Sequence, residues 1–135
     1  MAWFKKTTYP DYWNSYLEHF KDKQETDIDA IRFIVFDTET TGLDIKKDRI
    51  LSIGSIAIFK NTIKVADSYE CYIYQDMYNA ETAKIHGILQ EGYLQKIEEK
   101  EGVIQFLDYI KNAVLVAHHA AFDMAIINRA LKRLD

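Results

Sequence analysis

The sequence predicts a single α/β domain built on a mixed β-sheet, and three observations support this prediction. The chain has 135 residues, of which 48% are apolar, with only 5 Gly and 1 Pro, which suits one folded core. Three segments of β-type follow one another from Ile31 to Tyr74. A helical repeat then leads to a short apolar run at 113–117 and a last helix. This order gives a three-strand antiparallel meander and then a parallel strand, with flanking helices.

Residues 1–28 are predicted to form an N-terminal amphipathic helix and a connector, and residues 29–135 the main domain. Pro10 and Asp11 are a typical helix start. The apolar side chains that follow recur at i, i+3, i+4 and i+7, namely Trp13, Tyr16, Leu17 and Phe20. A helix of about ten residues is unstable alone, so this one must pack on something. Packing on its own domain is favoured over binding to a partner protein.

The segments Ile31–Glu39, Asp48–Lys60 and Thr62–Tyr74 are predicted to be the three strands of the meander. The first is a short apolar run that ends in acidic and threonine residues. Only Lys60–Asn61 separates the second run from the third, and this two-residue connection indicates an antiparallel hairpin. Asn61 is one of the residue types that adopt the left-handed conformation such a turn requires.

The second half of the chain is predicted to be mainly helical. A short helix is expected around Glu81–Lys84, and a longer one after Gly102, where apolar residues recur at helical spacing. These residues are Val103, Phe106, Leu107 and Ile110. Ala113–Ala117 has the character of a buried strand. The last helix is expected to run from about Phe122 to the end of the chain.

The composition excludes some classes of function. The chain has 17 Lys and Arg against 21 Asp and Glu, a net charge of −4, which argues against a protein that holds nucleic acid by bulk positive charge. A protein that meets phosphate through metal ions remains possible. No apolar run approaches the roughly 18 residues of a membrane span, and we expect no membrane partner. The single cysteine, Cys71, and the lack of a signal-like start favour a cytoplasmic protein.

The end of the first predicted strand carries two carboxylates that suggest a metal site. Asp37 and Glu39 are two residues apart, so their side chains project from the same face of the strand. Their mutual repulsion is relieved by a shared hard cation such as Mg²⁺ or Mn²⁺. Gly42 permits a tight turn directly afterwards. A pair of solvated acids at a strand end is the alternative, which this pattern alone does not exclude.

Longer motifs in the sequence resemble a known family. The segment Ile34–Leu43, IVFDTETTGL, resembles the first motif of the DnaQ-like 3′–5′ exonucleases, the DEDD superfamily. Leu115–Asp123, LVAHHAAFD, resembles the second motif, and Ala83–Ile88, AKIHGI, resembles the segment that follows the three-strand meander in that family. The motifs occur in the family order on the predicted elements. The chain is therefore identified, from about Ile31 to Leu134, as a member of this family.

The resemblance implies a ribonuclease-H-like fold and two divalent ions, Mg²⁺ or Mn²⁺, held by four acidic residues. By position, Asp37 would bridge both ions, Glu39 would bind the ion that activates water, and Asp123 would bind the other ion. The implied reaction is hydrolysis of phosphodiester bonds at the 3′ ends of single-stranded nucleic acid, with DNA favoured over RNA. A DNA polymerase subunit is the implied protein partner, in a proofreading-like role.

The same resemblance implies a pocket for the 3′-terminal nucleotide. Its substrate-binding residues would be Thr38, Thr40, Gly42, Leu43, His86 and Phe122. Leu43 would stack or wedge against bases, which grips a base without reading sequence. One position departs from the family, since His119 stands where an asparagine usually follows the motif histidine.

The third motif of the family is expected to lie outside this sequence. It consists of a histidine followed five residues later by the fourth metal-binding aspartate, some tens of residues beyond Asp123, whereas the sequence ends at Asp135. We therefore expect a domain that lacks its C-terminal part, including the general base, with impaired activity. An exposed edge on the strand at 113–117 would follow. A fragment of a longer enzyme is favoured over a degenerate relative. The alternative function is a non-catalytic module that binds nucleic acid or a polymerase.

Overall fold

The structure, a computed structural model, describes residues 8–134. The first seven residues of the predicted segment 1–28, and Asp135, lie outside the described residues. The described elements are α1 (Asp11–Glu18), β1 (Phe33–Thr40), β2 (Ile50–Phe59), β3 (Thr62–Ile73), α2 (Ala80–His86), β4 (Lys96–Ile97), α3 (Glu99–Ile110), β5 (Val114–Val116) and α4 (Ala120–Lys132). No helix among them is long and apolar enough to cross a membrane.

The five described strands form one mixed sheet in the order β4-β3-β2-β1-β5. Strands β1, β2 and β3 pair antiparallel, and β5 pairs parallel to β1. The predicted meander and parallel strand are therefore confirmed. Lys60 and Asn61 form the two-residue connection between β2 and β3, with φ values of 52° and 56°. Positive φ at both positions is the geometry that matches the twist of a hairpin.

One face of the sheet carries the hydrophobic core. Along β1 the side chains alternate between buried and more exposed positions, so Ile34 and Phe36 lie on the face covered by α3 and α4. The fully or largely buried members of the core are Ile34, Phe36, Ile50, Ile53, Ala57, Cys71, Ile73, Val103, Phe106, Leu107, Ile110, Ile126, Ile127 and Ala130. The intervening residues of β1, which include Asp37 and Glu39, project from the opposite face.

Helix α1 packs on its own domain, as the sequence predicts. Trp13 and Tyr16 lie against the core cluster, and their rings contact each other with centroids 5.3 Å apart. Leu17 and Phe20 remain exposed, so the apolar stripe is used only in part. The helix ends at Glu18, two residues short of Phe20.

Helix α3 begins at Glu99, three residues before Gly102, the residue after which the sequence predicts it to start. The glycine lies inside the helix and faces the sheet, where an added Cβ would come within 3.0 Å of Ile73 Cδ1. It is therefore a close-packing position between helix and sheet, and this is a contact that local sequence does not reveal. The two-residue strand β4 just before the helix was also not predicted.

Strand β5 is less buried than its apolar sequence suggests. It pairs with β1 alone among the described strands, which makes it an edge of the sheet. Val114 and Leu115 are half-buried and Val116 is exposed. The buried character predicted for this strand is not found, whereas the predicted exposed edge is present.

Candidate active site

One cleft, with a volume of about 350 Å³, is lined by all nine residues to which the sequence analysis assigned roles. These residues are Asp37, Thr38, Glu39, Thr40, Gly42, Leu43, His86, Phe122 and Asp123, and Thr82, Ile85 and His119 complete the lining. Four separate parts of the chain meet there, namely β1, the loop that follows it, α2 and the start of α4. The fold therefore brings together the residues that the motifs singled out far apart in sequence.

Asp37 and Glu39 lie on the sheet face that α3 and α4 do not cover. Asp37 is exposed and Glu39 is half-buried. Neither carboxylate has a hydrogen bond or ion pair with any residue between 8 and 134. Across the sheet, Asp37 pairs with Gly54 on β2, where the space that a Cβ would occupy is empty. Two negative charges thus face an open groove in which no side chain of residues 8–134 neutralises them.

Asp123 lies in the first turn of α4, where the helix dipole favours a negative charge. Its side chain is buried, with 3% exposed. Its Oδ1 atom accepts a hydrogen bond of 2.6 Å from the Thr38 hydroxyl. No cationic side chain of the described part of the chain pairs with it. A buried carboxylate without a cation is costly, so this position favours binding of a positive ion.

The loop after β1 is held by the carboxylate of Asp48, a residue that no sequence motif singles out. Asp48 accepts hydrogen bonds of 2.8 Å from the Thr41 hydroxyl and from the Asp44 backbone N–H. Its carboxylate lies so close to Gly42 that an added Cβ would meet it at 2.6 Å. The Thr40 hydroxyl donates to the Gly42 carbonyl at 2.7 Å. Gly42 is therefore needed for space beside Asp48, and no local pattern marks Asp48 as its neighbour.

Apolar side chains form the rim of the cleft. Leu43 and Ile85 are 84% and 85% exposed, values that are unusual for such side chains unless they serve a contact. Phe122 lies beside the ring of His119, with centroids 6.0 Å apart and planes only 2° from parallel. Ile85 was not assigned a role from the sequence, although it precedes His86 in a motif that was recognised. The rim combines flat rings with aliphatic side chains that suit contact with a nucleobase.

His86 contributes a polar group to the wall of the cleft. Its Nδ1 accepts a hydrogen bond of 3.0 Å from the Ile88 backbone N–H, so in the neutral ring Nε2 carries the hydrogen. Nε2 is enclosed and has no partner, alone in this respect among the side-chain polar atoms of residues 8–134. Gly87, with φ of 71°, ends α2 directly after it. The cleft wall thus contains a donor that no acceptor of the described residues satisfies.

The donor set fits divalent ions in its chemistry. Carboxylate oxygens are the ligands that Mg²⁺ and Mn²⁺ prefer, and Mg²⁺ is commonly held by one or two carboxylates together with water and substrate phosphates. Asp37 and Glu39 meet that requirement as an unpartnered pair. Among the residues described, no three His, Cys, Asp or Glu side chains are close enough together to hold an ion by themselves. Asp123 therefore lines the same cleft without closing a three-carboxylate cage.

Comparison with known proteins gives concordant results. The profile of an exonuclease family matches residues 34–135. The DNA polymerase III subunit epsilon of Buchnera aphidicola from Acyrthosiphon pisum is 34% identical over 110 residues, which cover 77% of this chain and 46% of that protein. The Escherichia coli subunit epsilon is 33% identical over 103 residues, which cover 72% of this chain and 42% of that protein. The chain thus spans less than half the length of these curated relatives.

Solved structures show the same fold. An E. coli exonuclease I in complex with a dA16 oligonucleotide has a TM-score of 0.67 at 15% identity, and the match covers 76% of this chain and 24% of that chain. An exonuclease I from Methylocaldum szegediense also has a TM-score of 0.67, at 16% identity, with 77% and 24% covered. These likenesses confirm the ribonuclease-H-like sheet with flanking helices. The family profile matches more than half of the length of this chain. The chain therefore belongs to the exonuclease family, as a DnaQ-like member of the DEDD superfamily.

Proposed function

We propose that this chain is a metal-dependent 3′–5′ exonuclease domain acting on the 3′ ends of single-stranded nucleic acid, with DNA favoured over RNA. The observation that carries the proposal is the cleft in which an unpartnered carboxylate pair, Asp37 and Glu39, lies beside an exposed apolar rim. Family membership supports an exonuclease. The relatives are subunits of DNA polymerase III, and one structural neighbour is bound to an oligonucleotide, which supports DNA as substrate and a polymerase as partner.

Asp37, Glu39 and Asp123 are the residues that would hold the divalent ions, two in a complete site. Such ions supply activation of the attacking water and stabilisation of the leaving 3′ oxygen. Without cations the cleft repels a phosphodiester, because its nearest charges are carboxylates without partners. The protein's contribution is to fix these carboxylates on a strand and a helix start that do not depend on loop conformation.

The rim residues bind the terminal nucleotide. Leu43 and Phe122 contact the faces of bases, an interaction that tolerates any sequence but requires the base to be unpaired. His86 lines the same cleft beside these residues and completes the pocket for the nucleotide. These contacts favour a single-stranded or frayed end over an intact duplex.

The test uses a 5′-labelled single-stranded oligonucleotide incubated with the 135-residue chain and Mn²⁺, with the Asp37→Ala variant and EDTA as controls. The expected result is a ladder that shortens from the 3′ end and disappears in both controls. If no ladder forms but Mn²⁺ still binds in a way that depends on Asp37, the proposal is restricted to metal binding by this chain. Hydrolysis would then need residues outside it. No ladder and no Mn²⁺ binding would overturn the proposal.

A non-catalytic module that binds nucleic acid or a polymerase is the second candidate. It is favoured by the lack, within residues 8–134, of any three ligand side chains close enough to hold a metal ion. Fluorescence anisotropy with a labelled oligonucleotide in EDTA separates the candidates. The second candidate requires binding of equal strength in the parent and in Asp37→Ala, without metal. The exonuclease requires binding that strengthens when Mn²⁺ or Mg²⁺ is added and that needs Asp37 to do so.

A further inference from the structure

We propose that Thr38 is a positioning residue that orients the carboxylate of Asp123 for the divalent ion. This inference rests on the proposed exonuclease function and assigns to Thr38 a task other than the substrate contact that the resemblance implies. The hydrogen bond of 2.6 Å from its hydroxyl to Asp123 Oδ1 is the observation that carries it.

The contact joins two elements that are far apart in sequence. Thr38 lies near the end of β1 and Asp123 in the first turn of α4, 85 residues later. Both side chains are buried, with 8% and 3% exposed. No other hydrogen bond to the Asp123 carboxylate occurs within the described part of the chain, and no lysine, arginine or histidine there pairs with it. The Thr38 hydroxyl is therefore the group that determines how this carboxylate is turned.

The remaining oxygen of Asp123 is available to the cleft. Oδ2 has no hydrogen-bond partner among residues 8–134, and it is not one of the fully enclosed unpartnered atoms, a group that contains His86 Nε2 alone. Rotation about the last side-chain bond of an aspartate is otherwise broad. A short hydrogen bond from a neutral hydroxyl to a carboxylate is stronger than one between neutral groups. Thr38 thus fixes one oxygen and leaves the other free to bind a cation.

Thr38 lies between Asp37 and Glu39 in β1, and its side chain points to the opposite face of the strand. The side chains of Asp37 and Glu39 project from one face of β1, and that of Thr38 projects from the other, toward α4. Three consecutive residues therefore set the positions of all three acidic groups of the cleft. Partners of metal ligands that hold them through hydrogen bonds commonly affect metal affinity by about 10- to 100-fold.

The test compares Thr38→Val, which keeps the branched shape and removes the hydroxyl, with Thr38→Ser, which keeps the hydroxyl. Mn²⁺ affinity is measured by electron paramagnetic resonance on the 135-residue chain, and thermal unfolding without metal is followed by circular dichroism. Thr40→Val is the matched control, because its hydroxyl lies on the same face of the same strand but donates to the Gly42 carbonyl. We expect Mn²⁺ affinity to fall about tenfold in Thr38→Val, and to stay within about threefold of the parent in Thr38→Ser. In Thr40→Val the Mn²⁺ affinity should stay near that of the parent.

Exonuclease kinetics give the second readout. In Thr38→Val the activity should recover as the Mn²⁺ concentration is raised, while KM for the oligonucleotide stays close to that of the parent. If KM for the oligonucleotide rises in Thr38→Val while the Mn²⁺ affinity is unchanged, Thr38 binds substrate instead, and the proposal is overturned. Equal Mn²⁺ affinity in the parent and in a folded Thr38→Val would also overturn it. If the parent itself binds no Mn²⁺, the proposed function fails, and the positioning role fails with it.

Discussion

The two ends of strand β1 differ in whether their charged side chains are paired. At its start, Arg32 donates to both carboxylate oxygens of Asp67, at 2.9 and 2.7 Å, and to the Tyr109 carbonyl at 3.0 Å. The same guanidinium lies over the Tyr109 ring, 4.9 Å from its centre. At the other end, Asp37 and Glu39 have no partner among the described residues. Along β1, the charge that contacts β3 and α3 is paired, whereas the two charges that line the cleft are paired with no described residue.

Helix α4 shows the same contrast within a single element. Just beyond its last turn, Arg133 forms two hydrogen bonds with Glu99 of α3, at 2.6 and 3.0 Å. In its first turn, the buried Asp123 accepts from a neutral hydroxyl and from no other side chain of the described residues. One end of the helix is therefore joined to α3 by a charge pair, whereas the carboxylate at its other end has no cationic partner among the described residues. The difference between these pairs and the cleft carboxylates is measurable as a difference in stability.

The largest loss of stability is expected at the Glu99–Arg133 pair. Its side chains are only 18% and 24% exposed, so removal of one partner leaves a poorly solvated charge. Glu99→Ala should lower the free energy of unfolding by about 2–3 kcal/mol, the range of hydrogen bonds that involve charged groups. Urea denaturation monitored by circular dichroism measures this change in the free energy of unfolding.

The control is Asp108→Ala, at an exposed carboxylate on the same helix that has no partner in the described part of the chain. It should change the free energy of unfolding by less than about 0.5 kcal/mol. Equal effects of the two variants would show that pairing between α3 and α4 contributes nothing.

A smaller loss is expected at the start of β1. Asp67→Asn removes a bidentate pair with Arg32, but the Asp67 side chain is 41% exposed, so solvent weakens the interaction. We expect the free energy of unfolding to fall by about 1 kcal/mol at neutral pH. A variant as stable as the parent at pH 7 would contradict this expectation.

The same pair predicts a pH dependence. The hydrogen bond from Arg32 lowers the pKa of Asp67 below its ordinary value. A carboxylate whose pKa is lower in the folded state stabilises the fold above its unfolded pKa, and this stabilisation is lost as the pH falls through the folded pKa. The difference in stability between parent and Asp67→Asn should therefore be constant above about pH 5 and shrink below about pH 4. Denaturation curves at several pH values test it.

The fold could be predicted where local pattern and packing agree. The hairpin at Lys60–Asn61 and helix α3 follow from spacing within a few residues. The start of α3 and the burial of β5 could not, because they depend on what lies across the interface. Gly102 is needed for contact with Ile73, and β5 has only one neighbouring strand in the described residues. Neither fact is present in the segment itself.

The candidate site shows the same limit. Asp37 and Glu39 could be paired from the two-residue period of a strand alone. Placing Asp123 beside them required the resemblance, since it is far away in sequence. Asp48 could not be found by either route, because its role arises only when a loop folds back and leaves no room for a Cβ at Gly42.

The smallest change in stability is expected at the unpartnered end of β1. Asp37→Asn removes a charge that no described residue satisfies, so without divalent ions its free energy of unfolding should equal that of the parent or exceed it by up to about 0.5 kcal/mol, as repulsion from Glu39 is relieved. Added Mn²⁺ should then make the parent more stable than Asp37→Asn. An ion that binds only the folded state stabilises it by about 1.4 kcal/mol at ten times its Kd. That gain should appear in the parent and be absent in Asp37→Asn, in thermal unfolding with and without Mn²⁺. A clear loss of stability in Asp37→Asn without metal would mean that this carboxylate holds the fold as Asp67 does, and the contrast between the two ends of β1 would disappear.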